Sequence, residues 1–191
     1  QHLFPITEQH LKQCKSSNTI SFISRALENT DSRVNNDQRV TPAFLLATML
    51  WYPLIDKAER LQKLAKMSAQ DAFFAALSEL MSEQSRSIAI PKRFQLPMKD
   101  IWTLQHRLTN RSGSRAYKLL GHPKFRAAYD FLLLRGEAEG GEVAELAMWW
   151  KEFQSSGEEA QSRLVKQVKP QGQRRRNPRK RRKPQAKKAS E

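Results

Sequence analysis

The sequence predicts an all-α fold: an irregular multi-helix bundle over residues 1–168, followed by a disordered basic tail over residues 169–191. Three observations predict it. Apolar residues recur at helical spacing along most of the chain, and no sustained period-two pattern with hairpin turns interrupts them. Hydrophobic residues make up 39% and charged residues 28% of 191 positions, enough for the core of one domain with an appendage. From residue 169 on, the chain is Arg, Lys, Pro and Gln and little else, with no aromatic residue. Such a segment cannot bury enough apolar area to offset the entropy lost on ordering.

Taken in order, residues 7–15 form a short helix closed by the polar cluster Lys15-Ser16-Ser17-Asn18. Ile20, Ile23 and Leu27 at i, i+3, i+7 predict a helix over 18–31, with Ser17 or Asn18 as N-cap and VNNDQRV as the linker after it. Thr41-Pro42 marks the next start, with a hydroxyl at the N-cap and a proline at N1, where its missing N–H costs nothing. The helix over 42–66 is apolar on nearly all sides up to Ile55, which makes it the central buried element, and Pro53 is expected to kink or split it. Its apolar run of 13 residues, 43–55, is shorter than the ~18–20 needed to cross a bilayer.

Ser68-x-x-Asp71 starts a helix over 69–86, with Phe73, Phe74, Leu77, Leu80 and Met81 facing inward. The two prolines of PKRFQLP bracket a loop over 91–97, and a helix over 98–111 buries Ile101, Leu104 and Leu108. Arg107 and Arg111, at i, i+4, share its opposite face. After Gly113, a short helix carries Tyr117, Leu119 and Leu120, and Gly121 ends it. His122-Pro123 opens a helix over 124–135. The glycine-rich RGEAEGG breaks it before a last helix over 142–153, whose Glu142 and Glu145 suit a helix N-terminus.

The formal charge is +15 with a pI near 10.3, and the basicity is concentrated in two places. Residues 1–85 balance nine basic against nine acidic side chains, and 136–168 are net −4. Residues 86–135 carry 11 Lys and Arg against Asp100 and Asp130, and the tail carries 11 against Glu191. A basic surface built on folded helices, extended by a flexible basic tail, calls for a polyanion as partner. A single cysteine, Cys14, excludes an internal disulfide, suits a reducing compartment and reads as a small buried side chain. The start QHLFPITEQH has neither the basic n-region nor the long apolar run of a signal peptide. It opens on Gln1 in mid-pattern, so a fragment of a longer protein is expected, with Leu3, Phe4 and Ile6 left exposed at an open interface.

No catalytic residue and no metal ligand can be named from the residues. One Cys and four scattered His give no ligand spacing, no Walker-type phosphate loop occurs, and no Asp-x-Asp offers a two-metal nucleotidyl-transfer site. Glu137-x-Glu139 falls in the glycine-rich break and reads as solvated surface. What remains is basic. Lys92, Arg93, Arg107, Arg111, Arg115, Lys118, Lys124 and Arg126 are the candidate phosphate-binding face, with Phe94, Trp102 and Tyr117 near enough in sequence to stack bases. Trp102 more naturally belongs to the core, and His122 to a cap or loop. In the tail, Arg174, Arg175, Arg176, Arg179, Lys180, Arg181, Arg182 and Lys183 can follow a phosphate backbone and release counterions, giving salt-sensitive, sequence-indifferent binding.

Several strings carry a resemblance: NNDQRVTPAFLLATMLWYPLI (35–55), DAFFAAL…SRSIAIPKRF (71–94), DIWTLQHRL (100–108), RAYKLLGHPKFRAAYDFLLLR (115–135), the Trp149-Trp150 pair and the arginine-rich end. Together they resemble the C-terminal half of bacterial poly(A) polymerase, in the right order over nearly the whole chain. The resemblance implies a cytoplasmic bacterial enzyme adding AMP from ATP, with Mg²⁺, to RNA 3′ ends and so promoting RNA decay. It places the catalytic head, with its Gly-Ser and Asp-x-Asp, upstream of this chain. What is present then corresponds to the helical body and the RNA-holding C-terminus, inactive alone and binding no cofactor itself. The family also implies contacts with RNA helicases or RNA-decay factors. Bacterial CCA-adding enzymes share a helical body but are not expected to have this tail. A free-standing basic RNA- or DNA-binding adaptor and a purely structural interaction domain are the other readings the residues leave open.

Overall fold

A computed structural model describes residues 3–14 and 17–168, the side chain of Cys14 excepted. The expectations for that thiol and for a disordered tail lie outside what is described. Among the described residues there are nine helices and no strand: α1 (Pro5–Cys14), α2 (Ser17–Asn35), α3 (Pro42–Ala65), α4 (Ala69–Ser87), α5 (Lys92–Leu108), α6 (Ser114–Leu120), α7 (Phe125–Glu139), α8 (Gly141–Ser155) and α9 (Glu158–Gln167). No helix among them is long and apolar enough to cross a membrane.

The apolar first half of α3 places it at the centre, against α1, α2, α4, α5 and α7. Ala43, Ala47, Leu50, Trp51 and Leu54 of α3 are buried in one apolar cluster with Phe22, Phe73, Leu80, Trp102 and Phe131. A second cluster joins Leu104 and Leu108 to Phe125, Leu132, Trp150 and Phe153. Helices α5 and α7 contribute to both clusters, so they tie the two halves of the core together. Both buried indoles find acceptors: Trp102 Nε1 donates to the Ala47 carbonyl (3.1 Å) and Trp150 Nε1 to the Leu108 carbonyl (3.0 Å). The latter carbonyl ends α5 and has no partner within its own helix. Trp102 is thus a core residue and unavailable to stack a base.

Both internal prolines lie within continuous helices. Pro53 does not split α3; it is buried within one helix. Its missing N–H frees the Met49 carbonyl, and the Thr7 hydroxyl of α1 donates to that oxygen at 2.8 Å. The bracketed loop 91–97 is the start of α5: Pro91 is the N-cap and Pro97 sits inside the helix. Lys92 and Arg93 therefore stand on a helical first turn rather than in a loop. Thr41 caps α3 in extended conformation without a side-chain bond, whereas the Ser68 hydroxyl accepts from Asp71 N (3.1 Å) as the capping pattern requires.

On α2 the inward face is not Ile20, Ile23 and Leu27. Thr19, Phe22 and Ala26 are buried, and Ile20 and Leu27 are exposed. The helix also runs on to Asn35, shortening the linker. Of Leu3, Phe4 and Ile6, only Leu3 is strongly exposed; Phe4 and Ile6 pack against the first cluster. His10 lies buried between Asp56 (3.0 Å from Nδ1) and Thr19 (3.2 Å from Nε2), tying α1 to α2 and α3.

The glycine-rich break begins later than expected. Helix α7 passes through Gly136 because α8 packs directly over it: a Cβ there would lie 3.0 Å from Ala144 Cα and 3.3 Å from Ala147 Cβ. Glu137 and Glu139 are consequently helical and paired; Glu137 stays on the solvated surface, whereas Glu139 is largely buried. Glu137 accepts from Arg25 (2.8 Å), and Glu139 takes both ends of the Arg135 guanidinium (2.8 and 2.9 Å) and the Tyr52 hydroxyl (3.1 Å). Burial and the Glu139 carboxylate push the Tyr52 phenol well above its ordinary pKa. Arg135 also donates to Gln105 and lies over Trp51, so this cation serves packing between α3, α5 and α7.

Candidate nucleic-acid interface

The cations of residues 86–135 do not form a single face. A groove of about 630 Å³ runs between the start of α4, the second half of α5 and α6, and it gathers Arg107, Arg115 and Lys118. Local sequence builds each wall. On α5, Thr103, His106 and Arg107 lie at i, i+3 and i+4, and Asn110 follows at i+7, so one stripe faces the groove. On α6, Arg115, Lys118 and Leu119 repeat that spacing. Gly113 makes the turn between the two helices at φ 60°, a backbone region that disfavours side chains.

The capped N-terminus of α4 supplies Gln70, Phe73 and Phe74. Adjacent helical residues point about 100° apart, so the two phenylalanines separate. Phe73 is 3% exposed and inside the core, while Phe74 is 47% exposed at the groove, against the expectation that both face inward. Their rings meet edge to face (5.6 Å), and His106 stands edge-on to Phe73 at 4.4 Å. Burial and the nearby Arg135 guanidinium lower the His106 pKa from 6.5, which keeps the imidazole neutral at pH 7.

Among the described residues, no carboxylate lines this groove. Arg115 Nη1 donates to Asn110 Oδ1 (3.2 Å), which leaves that guanidinium oriented but uncompensated, and no ion pair forms to Arg107 or Lys118 among the described residues. Three cations facing a concave surface without a counter-charge raise the local potential for anions. Donors predominate: guanidinium, ammonium and the Asn110 amide whose oxygen is already engaged.

The other candidates lie elsewhere. Lys92 and Arg93 occupy the first turn of α5, about 22 Å along the helix from Arg107 at 1.5 Å per residue. Arg93 lies over the Phe94 ring (4.9 Å). Arg111 falls beyond the end of α5, stacked on Trp149 at 5.2 Å with Nε buried and unpartnered. Burial lowers its pKa, against the opposing pull of Glu145. Arg126 pairs with Asp130 (3.0 Å) near the start of α7, beside exposed Lys124. Tyr117 is 41% exposed but meets Phe153 edge-on. The His122 imidazole accepts from Lys124 N (3.2 Å), a loop role. All eight tail cations, Arg174 to Lys183, lie outside the described residues.

Sequence reasoning missed Gln70, Phe74, His106 and Asn110. The α5 stripe from Thr103 to Asn110 was visible as helical spacing; Phe74 was not, because both phenylalanines suit a core. Among the described residues, no three His, Cys, Asp or Glu side chains converge as a metal site. The paired carboxylates nearest to that pattern, Glu137 and Glu139, each already hold an arginine. Held in this way, they do not fit Mg²⁺.

The family described as the polymerase A arginine-rich C-terminus matches residues 65–185, which include α4 to α9, every residue lining the groove, and the tail cations Arg174 to Lys183. Poly(A) polymerase I of Escherichia coli O6:H1 is 44% identical over 185 residues, 95% of this chain and 40% of that protein. The Salmonella typhi polymerase is 42% identical over 169 residues, 88% of this chain and 36% of that one, and the Haemophilus influenzae polymerase 39% over 167, 87% and 37%. This chain therefore spans about 40% or less of the length of these relatives. By its matched residues, it belongs to the polymerase A arginine-rich C-terminus family.

Proposed function

We propose that this chain is the RNA-holding portion of a bacterial poly(A) polymerase, an enzyme that adds AMP from ATP to RNA 3′ ends in the cytoplasm. The acid-free groove with Arg107, Arg115 and Lys118 carries the reading, since it offers three uncompensated cations to a phosphate backbone. In this reading the portion of the polymerase that lies outside this chain binds ATP and Mg²⁺ and performs transfer. The groove holds the strand close to it. The tail cations raise the local concentration of RNA and slow its departure between additions. RNA helicases or RNA-decay factors would meet the assembled polymerase, and RNA decay would follow from the added tails.

Fluorescence anisotropy of a labelled single-stranded RNA across a salt series tests this on the 191-residue chain. Neutralising Arg174, Arg175, Arg176, Arg179, Arg181 and Arg182 to Gln should flatten the log–log salt slope by roughly four, at ~0.7 per contact on single strands. Neutralising Arg107, Arg115 and Lys118 should flatten it by roughly two more. No binding at low salt by the unaltered chain would overturn the reading in favour of a structural interaction domain.

A further inference from the structure

We propose that the groove between α4, α5 and α6 is a nucleotide-binding pocket for single-stranded RNA, in which a base stacks on Phe74 while Arg107, Arg115 and Lys118 hold the flanking phosphates. This rests on the RNA-holding reading and goes beyond it, because a basic surface alone would take duplex and single strand alike.

Three features of the groove converge. First, Phe74 is 47% exposed and shares its groove with Arg107, Arg115 and Lys118, its ring meeting Phe73 edge to face at 5.6 Å. Nearly half of that side chain is thereby open to a ligand. A purely electrostatic surface has no use for such a ring, whereas every base offers a π-face to it. Second, the volume of about 630 Å³ lies within the ordinary range for small-ligand sites and suits one nucleotide unit rather than a helical duplex. Third, the cations come from helices other than the one that carries the ring. Arg107 comes from α5, Arg115 and Lys118 from α6, and Asn110 fixes Arg115 at 3.2 Å. A base seated on Phe74 therefore has phosphate ligands on two helices within the same concavity.

The site reads little sequence. The Asn110 amide oxygen already accepts from Arg115 and Ser112, so its free edge is a donor, and the cations are donors too. Acceptors occur on every base edge and on every phosphate, so stacking with donors tolerates any base. A pocket of this kind suits an RNA end whose sequence changes from transcript to transcript.

The test compares two strands with equal phosphates on the 191-residue chain: a labelled single-stranded RNA 12-mer and an abasic sugar–phosphate 12-mer. The tail contains no aromatic residue, so it contributes to both alike, and the ratio of the two affinities reads the folded part. Phe74→Ala should weaken RNA binding by roughly 5- to 100-fold and leave the abasic strand unchanged, as removal of one stacking ring does. Phe74→Trp should restore the RNA affinity, and unchanged circular dichroism in both variants guards against misfolding. Equal effects of Phe74→Ala on the two strands, or none, would overturn the stacking pocket. If Arg107→Gln with Lys118→Gln still weakened both strands, the RNA-holding reading would survive that failure. If the unaltered chain bound neither strand, both would fall.

Discussion

At the residue scale, several side chains hold the body by repairing backbone defects. Pro53 removes a donor from the middle of α3, and Thr7 returns one to the stranded Met49 carbonyl. Thr7→Val should then cost about 1–3 kcal/mol, the usual penalty for an unsatisfied buried acceptor. In a Pro53→Ala background the restored amide can serve Met49, so the same Thr7 change should cost less. A double-mutant cycle by urea denaturation checks this, and additivity would refute the link. Gly136 works by absence: a valine there meets Ala144 Cα and should destabilise by about 1–3 kcal/mol through displacement of α8, seen as a Tm lower by several degrees. His106 adds a pH dependence. Its folded-state pKa lies below the unfolded 6.5, so the unfolded chain binds the proton first. Stability should be whole above about pH 6.5 and fall on acidification below it, and His106→Gln should flatten that part of the profile.

At the scale of elements, helix existence was legible and helix orientation was not. Capping and proline patterns located the starts of α3, α4 and α7 because they are local chemistry. On α2, however, Ile20, Ile23 and Leu27 and the row Thr19, Phe22, Ala26 both have helical spacing. Periodicity cannot choose between two such rows. Tertiary contact chose the second, since Phe22 fits edge-on against Phe131 (5.1 Å) and Tyr52 (5.5 Å). Phe22→Ala should therefore cost about 3–5 kcal/mol. Leu27→Lys, at 40% exposure, should stay within about 0.5 kcal/mol. Equal losses in thermal melts of the two variants would mean that the stripe on Ile20 and Leu27 is covered in solution. The prolines of α5 misled for a similar reason: Pro91 is a permissible N-cap, and Pro97 is tolerated one turn in, where packing outweighs one lost hydrogen bond.

At the scale of the molecule, basic charge divides by purpose. Arg135 and Arg111 are spent inside the fold, one on Glu139 and Trp51 and the other on Trp149, while Arg107, Arg115 and Lys118 remain open to an anion. Sequence by itself determined that the chain is helical, that α3 is its buried axis, that charge gathers after residue 86, and which family the chain resembles. These follow from composition, short-range spacing and strings of residues, all of which are written along the chain. Only the tertiary structure decided which cations meet, that Phe74 leaves the core to join them, and that Glu137 and Glu139 are paired. Those facts depend on how α4, α5 and α6 approach one another, and on α8 closing over Gly136. Contacts between residues distant in sequence are set by the packing of whole faces, and no local pattern encodes which faces meet.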